Sequence, residues 1–175
     1  MRAQMFALGT LVAGCGLFAH AADPVLDYKL YATGEGRYKV LFPGAVRTET
    51  TEVKTPTGTR KLTLDTVQVA DGVIFMVTFV DVSDDVAKAP IGPRLDKVRD
   101  GNVGTNGKLL SEKSVEVGLE KFPARDLLIE KPDTFVRARI VAAGNRLYQV
   151  MIQGPKDFVT SKESDRFYES FEVTK

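Results

Sequence analysis

One apolar run, Gly-Val-Ile-Phe-Met-Val-Thr-Phe-Val-Asp-Val at residues 72–82, constrains the fold more than any other stretch. Its β-branched and aromatic residues are those of a strand. Along a strand, successive side chains point to opposite faces. Val73, Phe75, Val77 and Phe79 then share one face, and Ile74, Met76, Val80 and Val82 share the other. A strand apolar on both faces has something packed on both. Residues 72–82 are therefore predicted to be an interior strand of a sheet covered, at least in part, on both sides.

The flanking sequence supplies partners and covers. Residues 37–42 alternate, with Tyr38, Val40 and Phe42 on one side, and Pro43-Gly44 stops them. Residues 48–55 are rich in threonine but carry Glu and Lys, the composition of an exposed strand near an edge. After a turn at 56–59, residues 60–69 put Leu62 and Leu64 on one face and Val67 and Val69 on the other, which predicts a bulge or a twist. Asp71-Gly72 is a hairpin signal. The first half thus predicts an antiparallel meander. A loop follows over 82–90, then a helix over 93–100, with Pro93 in its first turn and Gly101-Asn102 at its end. The glycines and asparagines of 101–107 argue against helix beyond Asp100.

The second half repeats the strand pattern at 109–117, 123–130, 135–142 and 147–153, with turns around Pro132-Asp133 and Gly144-Asn145. The chain closes on a helix. Thr160 and Glu163 have capping-box spacing. Ser164, Phe167, Tyr168 and Phe171 fall on one helical face, a stripe expected to seal one side of the sheet.

Export is read from the leader. Met1-Arg2-Ala3-Gln4 is a short positive start, 5–18 is almost wholly apolar or small, and Ala19-His20-Ala21 puts small residues at −3 and −1 of a cut before Ala22. The expected organisation is a signal peptide over 1–21, a polar lead-in over 22–36 and one domain over 37–175. Two other readings stay open. Val12-Ala13-Gly14-Cys15 resembles a lipoprotein box in which Cys15 would carry the lipid, although Gly16, Leu17 and Phe18 are apolar where a polar tether is usual. An uncleaved anchor is the third reading, and 5–22, holding three glycines, is marginal in length for a span.

Cleavage would have a chemical consequence. The chain has one Cys and one His, Cys15 and His20, and both precede the cut. A mature chain without them cannot use a cysteine nucleophile or a histidine-activated serine. It cannot build a zinc or copper site on thiolate or imidazole either. A serine–lysine pair stays open on composition. Asp81, Asp84 and Asp85 could offer oxygen ligands to Ca²⁺, but the spacing is not that of an EF-hand and a solvated acidic loop is the plainer reading. Gly34-Glu35-Gly36 precedes a strand, the wrong context for a dinucleotide fingerprint. A net charge of +1 gives no field that would steer the chain to nucleic acid.

Arg137 and Arg139, two apart on 135–142, share a strand face. A two-residue turn at Pro132-Asp133 would set Asp126 opposite Arg139 as an ion pair. A two-residue turn at Gly144-Asn145 would set Val150 and Ile152 opposite the arginines, and one further residue would shift them to the other face. Exposed, the two arginines could recognise an anionic partner or ligand. Alternatively, their stems pack beneath a helix.

The order of elements resembles the PsbP-like fold group, which holds the photosystem II extrinsic protein and many bacterial envelope proteins. The resemblance rests on an exported chain opening with Tyr38-Lys39-Val40-Leu41-Phe42-Pro43-Gly44, on Asn145-Arg146-Leu147-Tyr148-Gln149-Val150, and on the closing Asp165-Arg166-Phe167-Tyr168-Glu169-Ser170-Phe171-Glu172-Val173. It implies an α+β fold, a central antiparallel sheet with helices on both faces, and non-enzymatic docking roles. The expectation is an exported, non-catalytic accessory or adaptor of the bacterial periplasm or cell envelope, monomeric, docking to an unidentified envelope protein. It needs no cofactor, and meets a membrane only through a lipid at Cys15. The alternative is a periplasmic carrier that holds a small apolar or anionic ligand between sheet and helix, with the region 158–171 as its place.

Overall fold

The computed structural model describes residues 26–55, 58–69 and 72–175. The leader readings, Cys15 among them, and the turn residues Pro56, Thr57 and Asp71 lie outside the described residues. Strands β1 (Lys29–Thr33), β2 (Tyr38–Phe42), β3 (Arg47–Thr55), β4 (Gly58–Gln68) and β5 (Ile74–Asp81) lead to helices α1 (Asp84–Lys88) and α2 (Ile91–Val103). Strands β6 (Lys108–Val117), β7 (Phe122–Lys131), β8 (Thr134–Ala143) and β9 (Arg146–Gly154) follow. The chain ends with α3 (Lys156–Val159), α4 (Lys162–Ser170) and β10 (Glu172–Val173).

Seven strands form one antiparallel sheet in the order β3-β4-β5-β9-β8-β7-β6. Two meanders, β3–β5 and β6–β9, join side by side where Met76 faces Met151 and Asp81 faces Arg146. The apolar run is interior, as its two-faced pattern predicts, and polar β3 is an edge. The expected four-strand meander of the first half is cut to three. Strand β2 pairs with β1 and β10 in a separate three-stranded sheet. Its Tyr38, Val40 and Phe42 are fully buried, and one strand edge-on in the large sheet could not bury them so completely. They lie over the same face of the large sheet as Phe75, Val77 and Phe79. Full burial of each phenylalanine contributes about 1.5–3 kcal/mol over exposure.

Alternation divides the core into two clusters on opposite faces of the large sheet. One contains Phe75, Val77, Tyr148, Val150 and Ile152 with the small sheet and with Val159, Phe167, Tyr168 and Phe171. The other contains Leu127, Ile129, Ala138, Ile140, Ala142 and Leu147 with Leu95 of α2. Two phenylalanines carry much of the first: the Phe167 ring sits 5.3 Å from that of Phe42 and 5.2 Å from that of Phe75.

Several local expectations are corrected. Residues 29–33, inside the expected polar lead-in, form β1, because their backbone completes β2 while Leu30 stays exposed. The expected loop after Val82 holds the short α1, and α2 runs on to Val103. Gly104, at φ 60°, then ends the helix with a backbone angle that glycine tolerates best. Strand β4 pairs with β5 without a register shift; the irregularity is in β6, between Leu109 and Ser111. The cap of α4 is Ser161, whose side chain accepts from the Ser164 amide at 3.3 Å, while the Thr160 hydroxyl donates to the Lys156 carbonyl at 2.9 Å.

Candidate functional site

Arg137 and Arg139 lie beneath α4. The two-residue turns set Asp126 opposite Arg139, Ile152 opposite Arg137 and Val150 opposite Arg139. Arg139 donates to both oxygens of Asp126, at 2.6 and 2.8 Å, and to the Tyr168 carbonyl at 3.1 Å. Arg137 donates to Asp165 at 2.7 Å, and its guanidinium lies 4.5 Å from the centre of the Tyr168 ring. Both side chains are mostly buried, at 24% and 17% exposure. The region 158–171, named above as the place for a ligand, is occupied by its own rings: Phe158 and Phe167 pack on Phe75, and Tyr168 packs on Phe167. Beside it Arg137, Asp126, Asp165 and Lys113 border an open depression of about 350 Å³.

Other polar clusters tie the layers together. Arg146 donates to both oxygens of Asp81 at 2.6 Å and to the Glu35 carbonyl at 2.5 Å, and lies 4.8 Å from the centre of the Phe79 ring. The Arg146 hydrogen bonds hold the Asp81 carboxyl below its usual range. Asp65, almost fully buried, accepts from Tyr38 at 2.5 Å, from Tyr31 at 3.2 Å and from Thr48. Asp81 is thus committed to a cation of the chain. Among the described residues no three His, Cys, Asp or Glu stand close enough together to hold a metal ion.

The face that carries α2 is covered unevenly. Leu95 packs over β7 and β8. Over β4 and β5, Leu62, Leu64, Ile74 and Met76 are only partly buried and belong to neither core cluster. They share one sheet face, with Leu62 opposite Val80, Leu64 opposite Thr78, Met76 opposite Thr66 and Ile74 opposite Gln68. Between α2 and this half of the sheet lies a groove of about 480 Å³. Val80, Val82 and Leu147 line it from the sheet, Val98 from α2 and Val86 from α1. Among the described residues its cations are Arg60, Arg94 and Lys97, and no carboxylate lines it.

Sequence reasoning missed this groove. Arg94, Lys97, Val98, Gly101 and Asn102 have the i, i+3, i+4, i+7, i+8 spacing of one helical face. The signal was present, but a helix predicted to end at Asp100 loses its last two members.

The solution structure of cyanobacterial PsbP (CyanoP) from Synechocystis superposes with a TM-score of 0.55, over 93% of this chain and 98% of that one, at 14% identity. The fold is PsbP-like. A protein of unknown function from Pseudomonas aeruginosa aligns over 79% of this chain and 90% of its own, at 11% identity and a TM-score of 0.39. No protein-family model and no curated protein matches the chain. The groove beneath α2 and the half-covered strands β4 and β5 are therefore read from this PsbP-like chain's own geometry. Among the described residues no helix is long and apolar enough to cross a membrane.

Proposed function

We propose that this chain is an exported, non-catalytic accessory protein of the bacterial periplasm or cell envelope that acts by docking to a partner protein. In this reading the PsbP-like domain is an α/β/α sandwich, with α2 on one face of the sheet and α3 and α4 on the other. The observation that carries the docking role is the open half of the α2 face. Leu62, Leu64, Ile74 and Met76 form a half-buried apolar strip on one face of β4 and β5, interrupted by Thr66 and Thr78 and outside both core clusters. Apolar surface left partly open and rimmed by polar residues marks interaction surfaces, and Thr51 and Gln153 flank the strip. The non-catalytic reading draws on the commitments of the polar groups, since Asp65, Asp81, Arg137 and Arg139 are all bonded within the chain.

The test is photo-crosslinking in living cells, with a photoreactive residue at Leu64 or Met76 and, as control, at Leu30 on the small sheet. A discrete protein adduct from Leu64 and Met76 but not from Leu30 supports the proposal. Equal or absent adducts from all three positions overturn it. The intact mass of the same purified protein distinguishes a free Ala22 start from a lipidated Cys15.

A further inference from the structure

We infer that the groove beneath α2 is a binding site for a small amphipathic anion, with an apolar body inside and a carboxylate or phosphate head at Arg94 and Lys97. This goes beyond the docking strip and does not depend on it.

The size and lining come first. Small-molecule sites are typically apolar clefts of roughly 300–1,000 Å³ with a few polar groups that fix orientation. The groove, at about 480 Å³, is walled by Val80, Val82, Val86, Val98 and Leu147.

The charge selects the ligand. Arg94 donates to two neutral carbonyls, Ala87 at 2.9 Å and Gly144 at 3.5 Å, and forms no ion pair among the described residues. Lys97 is exposed. The acids of the same helix are turned away: Asp96 pairs with Arg99 and Arg125, and Asp100 pairs with Arg99 at 2.8 Å. Arg94 and Lys97 therefore stand at an apolar cleft with no neutralising carboxylate among the described residues of its lining. Three buried polar atoms without hydrogen-bond partners among the described residues, Arg94 Nε, Asn102 Nδ2 and Gln149 Oε1, also belong to lining residues. Buried polar atoms left unpaired are costly, and a ligand head group that accepts hydrogen bonds would satisfy the Arg94 donor.

Gly101 adds a third observation. It stands inside α2, where glycine costs about 1 kcal/mol relative to alanine. A Cβ there would meet no atom within 4 Å, so packing does not require the glycine. Gly101 lines the groove, and a bulky side chain there would occupy the cleft.

The test is calorimetric titration of the protein recovered from its own envelope fraction with decanoate, with decyltrimethylammonium and acetate as matched comparators. Decanoate is expected to bind at one equivalent, at least about tenfold tighter than the cationic analogue, with acetate showing no binding. Gly101→Phe fills the groove and should weaken decanoate by about tenfold or more, whereas Gly101→Ala should retain it and unfold at a higher temperature. Lys97→Gln, an exposed change that leaves the fold intact, should weaken decanoate by roughly threefold to tenfold. Failure of decanoate to bind, equal binding of the cationic analogue, or binding unchanged in a folded Gly101→Phe protein would each overturn the inference.

Discussion

Arg146 and Asp81 face each other across β9 and β5 and share two hydrogen bonds, each 2.6 Å long. The Arg146 side chain is 9% exposed and that of Asp81 48%, so the cation is the member that cannot recover its hydration if the pair is broken. Arg146 also holds the Glu35 carbonyl, and so fastens the β1–β2 turn to the large sheet.

Asp81→Asn is expected to destabilise the protein by about 1–2 kcal/mol at neutral pH, a modest value because water reaches the carboxylate. The folded Asp81 carboxyl titrates below its unfolded value, chiefly through the Arg146 hydrogen bonds. Its contribution is therefore complete above about pH 4 and is lost as pH falls through the lower folded value. Urea midpoints of wild type and Asp81→Asn should differ at neutral pH and converge in acid. A constant gap across the range would contradict this assignment.

Gly34 and Gly36 predict opposite outcomes two residues apart. A Cβ on Gly36 would lie 2.6 Å from both Thr33 Cγ2 and the Tyr38 ring, and the buried Tyr38 has no room to retreat. A Cβ on Gly34 meets nothing within 4 Å. Gly36→Ala should cost about 1–3 kcal/mol through overpacking, whereas Gly34→Ala should change stability by less than about 0.5 kcal/mol. Thermal unfolding of the two variants checks the contrast.

The strands were legible in the sequence because their apolar residues alternate, and the interior position of residues 74–81 because both faces are apolar. Pairing beyond the hairpins was not legible. Nothing local in Tyr38, Val40 and Phe42 says that their strand leaves the large sheet and lies over Phe75 and Phe79. That choice is made by how much aromatic surface the second layer can bury. The extent of α2 was hidden by Gly101, since propensity argues against a glycine in mid-helix and packing of Val98 and Val103 outweighs it. The pairing of Arg139 with Asp126 could be read from a two-residue turn. The tyrosine ring beside both arginines could not, because it arrives from α4.

Arg137 and Arg139 are predicted to act on stability. Arg139→Met leaves Asp126 without its cation and the Tyr168 carbonyl without its donor, at a cost of about 2–4 kcal/mol. Adding Asp126→Leu to Arg139→Met should recover part of that loss, because an apolar pair carries no desolvation penalty. Arg137→Gln should lower the urea midpoint and leave decanoate binding at the α2 groove unchanged. Loss of decanoate binding in a folded Arg137→Gln protein would move the anion site to the α4 face.

All five tyrosines, Tyr28, Tyr31, Tyr38, Tyr148 and Tyr168, titrate above the usual range, and in each burial is the largest cause. Tyr28 is pushed up to about 12. The folded state therefore keeps its phenols protonated in a range where the unfolded chain ionises. Stability from this source is complete below about pH 10 and declines as pH rises through the folded values. With no tryptophan in the chain, near-ultraviolet absorbance reports tyrosinate without overlap. At about pH 10.5 little tyrosinate should form while the fold persists. Tyr38, Tyr148 and Tyr168 should then ionise together with the loss of ellipticity, because these buried phenols can reach water only by unfolding. Their ionisation ahead of that loss would mean that these rings reach water in the native state, contrary to their burial.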